Sequence, residues 1–452
     1  MDPLTRQEAL QVLSALGIEL PPQTKLPDTA LLSRIDIALK SSQELPDILP
    51  SPSSPTLKIS SLADWPTDRL GPVMTAMHRT NMAETYQSAM LKQAGMRTPT
   101  FGEVVGNDVF NELRRTVFSL AQTWDQGVPC CVVQDAGRNQ AAINVRVLEA
   151  KRINDKTPVL VVLYASFTKA NLLPGTRWVK EKMPHPTHSC SHPCTHSQLM
   201  NINADILEQK LLLYILDANS AYIPSTYKPN RTATEGDFKV SLLFPTGPLS
   251  FDALGKLNLD TGCAICGEKS IKKCANCQSV GYCGRECQAK DWSNHKGRCK
   301  SLKGGTWRTI KFSLCLPGFE DMFVSNINRL ASTTSPSTPI QKPDPNVPPP
   351  NIHGNRVFLI KMQFAEIRGT PQDGGPVPHN MMIYDRKRSI DGYFVESASE
   401  ENKVAFGEFN YEMKMSPRGT PRAAKMYRYA KRVGDWELSV CLDKLPQETI
   451  KW

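Results

Sequence analysis

The 452-residue chain lacks long apolar runs: no stretch of about 18 uninterrupted apolar residues occurs, so we expect no membrane-spanning helix. Its N-terminus, MDPLTRQEALQVL, has no basic start followed by an apolar run, and we expect no secretion signal. It also lacks the P-loop, the dinucleotide-binding glycine motif, HExxH and GxSxG. These absences predict an intracellular protein, in the nucleus or the cytoplasm, without a common catalytic motif.

Histidines are few, at 8, whereas cysteines number 13. In a reducing compartment, clustered cysteines indicate metal binding more often than disulfides. The net charge of +10 is small for this length and favours acidic partners only weakly. We therefore do not expect nucleic acid to be the main partner.

Composition and periodicity predict an α+β multidomain protein, with a small metal-binding element between two units of mixed helix and strand. The predicted segments are a helix–extended–helix module (1–40), a Ser/Pro linker (41–63), an α+β domain (64–258), the cysteine-rich element (263–299), a strand extension (304–330), a Pro-rich linker (331–352) and a C-terminal α+β unit (353–452). The two linkers are expected to lack fixed structure.

Residue spacing predicts a helix in each of two further segments. Phe110, Leu113, Val117 and Leu120 recur at helical spacing and predict a helix over 107–125. Basic residues also recur at helical spacing near the C-terminus and predict a helix over 423–432. That basic stripe is compatible with nucleic-acid binding or nuclear import, but a solvated helix face explains it equally simply.

The cysteine-rich element carries eight metal-ligand residues in four short pairs. The pairs are Cys263/Cys266, Cys274/Cys277, Cys283/Cys287 and His295/Cys299. A CxxC pair forms a tight knuckle, and ligands four residues apart lie on one face of a helical turn. Thiolate and imidazole select zinc, and eight ligands close two tetrahedral sites without an open position. We predict two structural zinc ions.

The spacing of these ligands, with Tyr282 before Cys283 and Asp291-Trp292 before His295, resembles the MYND zinc finger. The resemblance implies a cross-braced pairing that spacing alone does not provide. Cys263, Cys266, Cys283 and Cys287 would hold zinc 1, and Cys274, Cys277, His295 and Cys299 would hold zinc 2. The segments GGTWR and KMYRYAKRVGDWELSVCLD resemble, more loosely, fungal MYND-finger proteins of undefined function.

The family also implies a role, since peptide-binding members accept short Pro-rich segments with a glutamine and a tryptophan. The matching positions are Gln288 and Trp292, and an aromatic face packs well on proline rings. A small hydroxyl residue after the third cysteine is replaced here by Ala275. The alternative is that Trp292 only fills the core behind the finger helix. Two Pro-containing segments of this chain, 347–352 and 46–50, resemble possible ligands.

A second cluster of metal ligands lies at 185–196. His188, Cys190, His192 and Cys194 could form a third metal site, although the prolines nearby are typical of a solvated loop. The same region resembles the cofactor-contacting box of SET methyltransferases. However, Thr187 replaces its leading asparagine, and the segment precedes the finger instead of following it.

We therefore predict a zinc-binding protein whose finger mediates protein–protein interaction with Pro-rich segments, with transcriptional regulation as one setting. The alternative is an enzyme, such as a SET-like methyltransferase, that uses the finger for docking.

Overall fold

The computed structural model describes residues 2–18, 20, 24–49, 57–81, 84–85, 88, 91, 93, 108–137, 141–183, 199–259, 262–269, 271–277, 279–319, 332–333, 344–364, 371, 374–414 and 425–446. They form two compact units. The first contains residues 1–17, 31–249 and 332–338, and the second contains residues 18–30, 250–331 and 339–452. Each unit combines helices with a β-sheet, which confirms the predicted α+β class. Among the described helices, none combines the length and apolar character needed to cross a bilayer.

The first unit is built on a five-stranded sheet. Its strands are β2 (Cys130–Gln134), β3 (Ala141–Asn154), β4 (Thr157–Thr168), β5 (Leu199–Asn203) and β6 (Lys239–Leu243). Their order is β5-β2-β3-β4-β6, and only the β2–β5 pair is parallel. A small ribbon pairs β1 (Thr80–Asn81) with β10 (Ser332–Thr333).

The helices that lie wholly or mainly in the first unit are Arg6–Ala15, Asp28–Ser42, Leu45–Ile48, Thr67–Leu70, Val73–Met77, Val109–Asp125, Leu172–Lys182 and Ile206–Ser220. Val109–Asp125 is the helix predicted over 107–125. The carboxylate of Asp108 accepts hydrogen bonds from the N–H groups of Phe110 and Asn111 at 3.0 and 2.9 Å and caps its N-terminus. Its apolar face is buried, as the spacing predicts.

A buried carboxylate, Glu235, organises one edge of the first unit. It accepts hydrogen bonds from Trp178 Nε1 at 3.0 Å and from the Thr232 N–H at 2.9 Å, and it lies 2.6 Å from Arg146. Burial alone would raise its pKa, but these hydrogen bonds and the charges of Arg146 and Lys182 lower the pKa below its usual value. The carboxylate is therefore ionised and held by partners on three segments.

The second unit contains a six-stranded antiparallel sheet. Its strands are β9 (Trp307–Lys311), β11 (Phe358–Phe364), β12 (Asn380–Asp385), β13 (Asp391–Val395), β14 (Lys425–Gly434) and β15 (Glu437–Cys441). Their order is β13-β12-β11-β14-β15-β9. The remaining elements are the ribbon of β7 (Lys272–Lys273) and β8 (Gly281–Tyr282) and the helices Phe251–Leu259, Arg285–Leu302 and Glu400–Lys414. Phe406 and Phe409 of the last helix pack into the core of this sheet, against Phe394.

The predicted C-terminal helix over 423–432 is wrong. Lys425–Gly434 is the strand β14, which pairs with both β11 and β15. Its basic residues do not form one exposed stripe, because Arg428 is buried and its Nε donates to the carbonyl of Leu442 at 2.9 Å. The spacing of the basic residues is compatible with a helix or a strand, and pairing with a neighbouring strand on each edge favours the strand.

The linker boundaries also need correction. In the predicted linker 41–63, Leu45–Ile48 forms a helical turn in which Leu45 is buried. Leu57 and Ile59 pack against Val159 and Val161 of β4. In the predicted linker 331–352, Ile352 is buried, and its carbonyl accepts from Asn258 Nδ2 at 3.0 Å. Isolated apolar residues of these Pro-rich segments are therefore buried.

Two other segments belong to units different from those that the sequence predicts for them. The strand at Trp307–Lys311, assigned to a separate extension, pairs with β15 and forms the edge of the C-terminal sheet. Residues 18–30, predicted as the middle of an N-terminal module, belong to the second unit.

Replacing Glu235 with alanine should destabilise the first unit by about 3 kcal/mol, because Arg146 and Lys182 then lose a buried partner. Native-state hydrogen exchange of β3 and β4 amides against urea measures this. Because the Glu235 pKa is lowered, its contribution is present at neutral pH and is lost as the pH falls below the usual glutamate range. The exposed carboxylate of Asp64, paired with Lys151, is the control, and Asp64→Ala should change stability by less than about 1 kcal/mol. Equal effects of the two variants would contradict the prediction.

Candidate metal centre

The first knuckle of the cysteine-rich element is a tight turn over 262–268. The Gly267 N–H donates to the Cys263 carbonyl at 2.9 Å, and the Cys263 N–H donates to the Glu268 carbonyl at 2.7 Å. Gly267 has φ +79°, which only glycine adopts without strain. The Ala264 N–H donates to the Gly281 carbonyl at 3.0 Å, so the knuckle is attached to β8.

This attachment brings ligands from distant parts of the element to one point. β8 leads directly to Cys283, and the finger helix (Arg285–Leu302) follows with Cys287 in its first turn. The sulfur atoms of Cys263, Cys266, Cys283 and Cys287 all lie within 4.8 Å of one another. Cys283 Sγ lies 3.4 Å from Cys266 Sγ and 3.5 Å from Cys287 Sγ. These four residues form the first cluster.

The second cluster joins the second knuckle to the C-terminal half of the finger helix. The ligand atoms of Cys274, Cys277, His295 and Cys299 lie within 4.8 Å of one another, and all four residues are buried. His295 Nε2 is 3.4 Å from Cys277 Sγ, and Cys274 Sγ is 3.9 Å from Cys299 Sγ. The ligand pairs therefore alternate along the chain between the two clusters, which is the cross-braced arrangement that the resemblance implies.

The acid–base state of these groups favours a bound cation. Burial opposes ionisation of Cys263, but N–H groups of Cys266, Cys283 and Ile265 that point at its sulfur lower its pKa to about 6. Hydrogen bonds with Cys266, Cys287 and Cys263 raise the pKa of Cys283 to about 12. Thiolates this close repel one another, and a bound cation offsets that repulsion. Burial lowers the pKa of His295, which keeps its imidazole neutral and able to bind metal.

The donor sets fit zinc. Zinc–sulfur bonds of about 2.3 Å in a tetrahedron place sulfur atoms about 3.8 Å apart, close to the measured separations. Four-sulfur and three-sulfur-plus-imidazole sets are typical structural zinc sites, and neither leaves a position for water or substrate. The prediction of two structural zinc ions is confirmed at the level of ligand geometry.

The finger helix has one buried stripe that sequence reasoning identified only in part. Cys287, Asp291, His295 and Cys299 recur every four residues and are buried. Asp291 is not a ligand. Its carboxylate accepts a hydrogen bond from Tyr282 Oη at 2.5 Å, and burial together with this bond raises the pKa of Tyr282. The position of Asp291 between two ligands at helical spacing was the signal that could have revealed this contact between the helix and β8.

Gln288 and Trp292 lie next to this stripe, one helical turn apart. Trp292 is 41% exposed, and its indole packs edge-on against the His295 ring with centroids 6.1 Å apart. Gln288 is half-buried, and its Nε2 lies 3.7 Å from Cys274 Sγ. The alternative in which Trp292 only fills a core is not what the structure shows, because much of the indole faces solvent.

The finger packs on the C-terminal sheet and is not a free module. Its buried residues form one cluster with Val357, Tyr429 and Cys441. The finger helix leads through Gly304 and Gly305 into β9, whose Trp307 ring lies 5.4 Å from the Lys431 ammonium. This packing holds the helix that carries Gln288 and Trp292.

Two other predictions have different outcomes. The possible third metal site at His188, Cys190, His192 and Cys194 lies outside the described residues. Of the Pro-containing segments offered as ligands for the finger, Pro46–Ile48 belongs to a helical turn, and the Ile352 carbonyl accepts a hydrogen bond from Asn258. A different segment, 24–26, contacts the finger.

A small cross-braced domain with two structural zinc sites is what the fold and ligands define. The MYND finger family matches residues 263–299, and this segment is a MYND-type zinc finger. Relatives include the zinc finger MYND domain-containing protein 10 homolog of Drosophila melanogaster, 51% identical over 45 residues, which are 10% of each chain. Another is the SET domain and MYND-type zinc finger protein 6 of Schizosaccharomyces pombe, 37% identical over 65 residues, or 14% of each chain.

Ubiquitin carboxyl-terminal hydrolase 19 of Arabidopsis thaliana is 48% identical over 42 residues, which are 9% of this chain and 6% of that protein. The chain thus spans only a small fraction of these relatives, and each match is confined to the finger region. No solved structure matches the chain significantly. The comparisons therefore identify the finger and leave the two sheets without a named relative.

Elemental analysis of the purified chain should find two zinc ions per molecule. Cys274→Ser should lower that number and expose the finger amides to rapid exchange, because the second cluster joins both halves of the finger. Zinc content should also fall as the pH is lowered, since protons compete for the thiolates and the imidazole. Cys315→Ser changes a cysteine outside both clusters and should keep two ions. One zinc or none in the unmodified chain would refute the assignment.

Proposed function

We propose that this protein acts by protein–protein interaction, with its MYND finger binding short Pro-rich segments across Gln288 and Trp292. The observation that carries the proposal is the exposed indole of Trp292, one helical turn from Gln288. A MYND finger implies protein partners. The relatives that share the finger are named as different kinds of protein, among them a ubiquitin carboxyl-terminal hydrolase and a SET domain protein.

Preorganisation of the finger helix and of Trp292 favours peptide binding. Trp292 lies between the zinc ligands Cys287 and His295 on one helix, and the Tyr282–Asp291 hydrogen bond ties that helix to β8. The indole is therefore held in place before a ligand arrives. An extended proline segment is also ordered before binding, so docking it on an indole face costs little conformational entropy. A polar side chain such as Gln288 can then hydrogen bond to the peptide backbone.

We also propose that the finger itself does not catalyse a reaction. Both four-ligand sets are complete, so a zinc ion bound there has no position for a substrate. The enzyme alternative would place chemistry in the first unit, and methyl transfer by purified protein with S-adenosylmethionine and histone peptides would support it. A role in transcriptional regulation belongs to the proposal through the partner, which affinity capture with unmodified protein and Trp292→Ala would identify.

Trp292→Ala should weaken binding of a labelled PNVPPPNI peptide to the zinc-loaded full chain by at least about tenfold, measured by fluorescence anisotropy. Zinc content and thermal stability should change little, because much of the side chain is already exposed. Tyr411→Ala removes another exposed aromatic ring, outside the finger, and should leave the affinity unchanged. Equal affinity of Trp292→Ala and the unmodified chain would sink the proposal.

Ala275→Ser restores the small hydroxyl residue that the family resemblance places after the third cysteine. Ala275 is exposed, so the change should not disturb the knuckle. One added hydrogen bond is worth about 1 kcal/mol, which corresponds to roughly fivefold tighter binding of the same peptide. Ala264→Ser, in the first knuckle, is the matched control and should leave the affinity unchanged. A response of the same size from both variants would count against a peptide contact at 275.

A further inference from the structure

A second segment of this chain lies on the finger, at the first knuckle. The Lys25 N–H donates a hydrogen bond to the carbonyl of Ile265, and Thr24 Oγ1 donates to the same carbonyl at 3.1 Å. Thr24 and Leu26 are 5% and 8% exposed, although both lie in a stretch without helix or strand. A segment without helix or strand that buries a hydroxyl and a leucine against the knuckle resembles a bound peptide.

The fit of Leu26 depends on a glycine of the knuckle. The Leu26 Cδ2 methyl lies where a side chain at Gly267 would begin. The Leu26 N–H donates to Thr24 Oγ1 at 3.3 Å, which turns the leucine towards the knuckle. Thr24 and Leu26 thus face the finger together, while Lys25 lies between them.

Lys25 meets a like charge on the finger helix. The Lys290 ammonium of the finger helix lowers the pKa of Lys25. Repulsion between two ammonium groups weakens the contact. The backbone bond and the buried leucine therefore hold the segment against an unfavourable charge pair.

This contact is separate from Gln288 and Trp292. Lys290 is two residues from each of them, about 200° around the helix. The knuckle that accepts Thr24 and Lys25 carries ligands of the first cluster, whereas Gln288 lies beside Cys274 of the second. The two surfaces are on different sides of the finger helix.

We propose that the first knuckle of the finger is a second peptide-binding surface, occupied by this chain's own Thr24–Pro27 and suited to segments with a small hydroxyl residue, any residue and then leucine. The main-chain bond from Lys25 to Ile265 contributes affinity, and the leucine site supplies specificity. This inference goes beyond the proposed function and does not depend on Trp292.

The internal segment has the advantage of its covalent attachment. A tethered ligand competes at an effective concentration in the millimolar range, so an added peptide binds measurably only after the internal one is weakened. Leu26→Asp does this, because it places a charge in the buried leucine site. Leu173→Asp introduces the same charge at an exposed leucine of the first unit and is the matched control.

Hydrogen exchange of the zinc-loaded full chain tests the internal contact. In Leu26→Asp, the Lys25 amide should exchange at least about tenfold faster than in the unmodified chain or in Leu173→Asp. The Ala264 and Cys274 amides bond within the finger and should keep their protection, which separates undocking from unfolding of the finger. Equal exchange at residue 25 in the unmodified chain and in Leu26→Asp would overturn the proposal.

Binding in trans tests the surface itself. A labelled peptide of residues 18–30 should bind the Leu26→Asp full chain, and the same peptide with Leu26→Asp should bind at least about tenfold more weakly, because a charge would enter the buried leucine site. Adding Trp292→Ala to the protein should leave both affinities unchanged, which distinguishes this surface from that of the proposed function. Absence of binding at millimolar peptide, or loss of binding with Trp292→Ala, would refute a separate site at the first knuckle.

Discussion

Coordination of two metal ions by alternating ligand pairs is the constraint on which the finger depends. Each cluster takes ligands from a knuckle and from the finger helix or the turn that precedes it, so neither half can form its site alone. Seven thiolates this close repel one another strongly, and only divalent cations offset that repulsion. The finger has few apolar residues to bury, so coordination takes the place of a large hydrophobic core.

Coordination also determines what the finger can present. The ligand stripe of the finger helix faces inward, and Tyr282 binds Asp291 on the same side. The neighbouring positions then face outward in a fixed orientation, with Trp292 on one side and Lys290 on the other. Packing of the finger against Tyr429 and Val357 adds a rigid support. The two proposed peptide surfaces would lie on the two outward sides, separate from the inward, metal-binding side.

Prediction from sequence succeeded where a local pattern has one physical solution. Eight ligands at short spacing have few alternatives to zinc, and the helix at Val109–Asp125 has both a capping aspartate and an apolar face. It failed where two solutions were open. The charge spacing of 425–432 is compatible with helix and with strand, and pairing with β11 and β15 decided for strand. Leu45 and Ile59 lie in sequence that looks like linker, yet a sheet far along the chain buries them.

By itself, the sequence determined the metal, the number of ions, the absence of an open coordination position and the helical spacing of Gln288 and Trp292. These follow from ligand chemistry and from helix geometry, which act over a few residues. Only the tertiary structure decided which knuckle shares an ion with which turn, that Trp292 remains exposed, and that 24–26 lies on the finger. Such outcomes depend on contacts between residues up to 241 positions apart, as for Thr24 and Ile265, and no local pattern encodes those contacts.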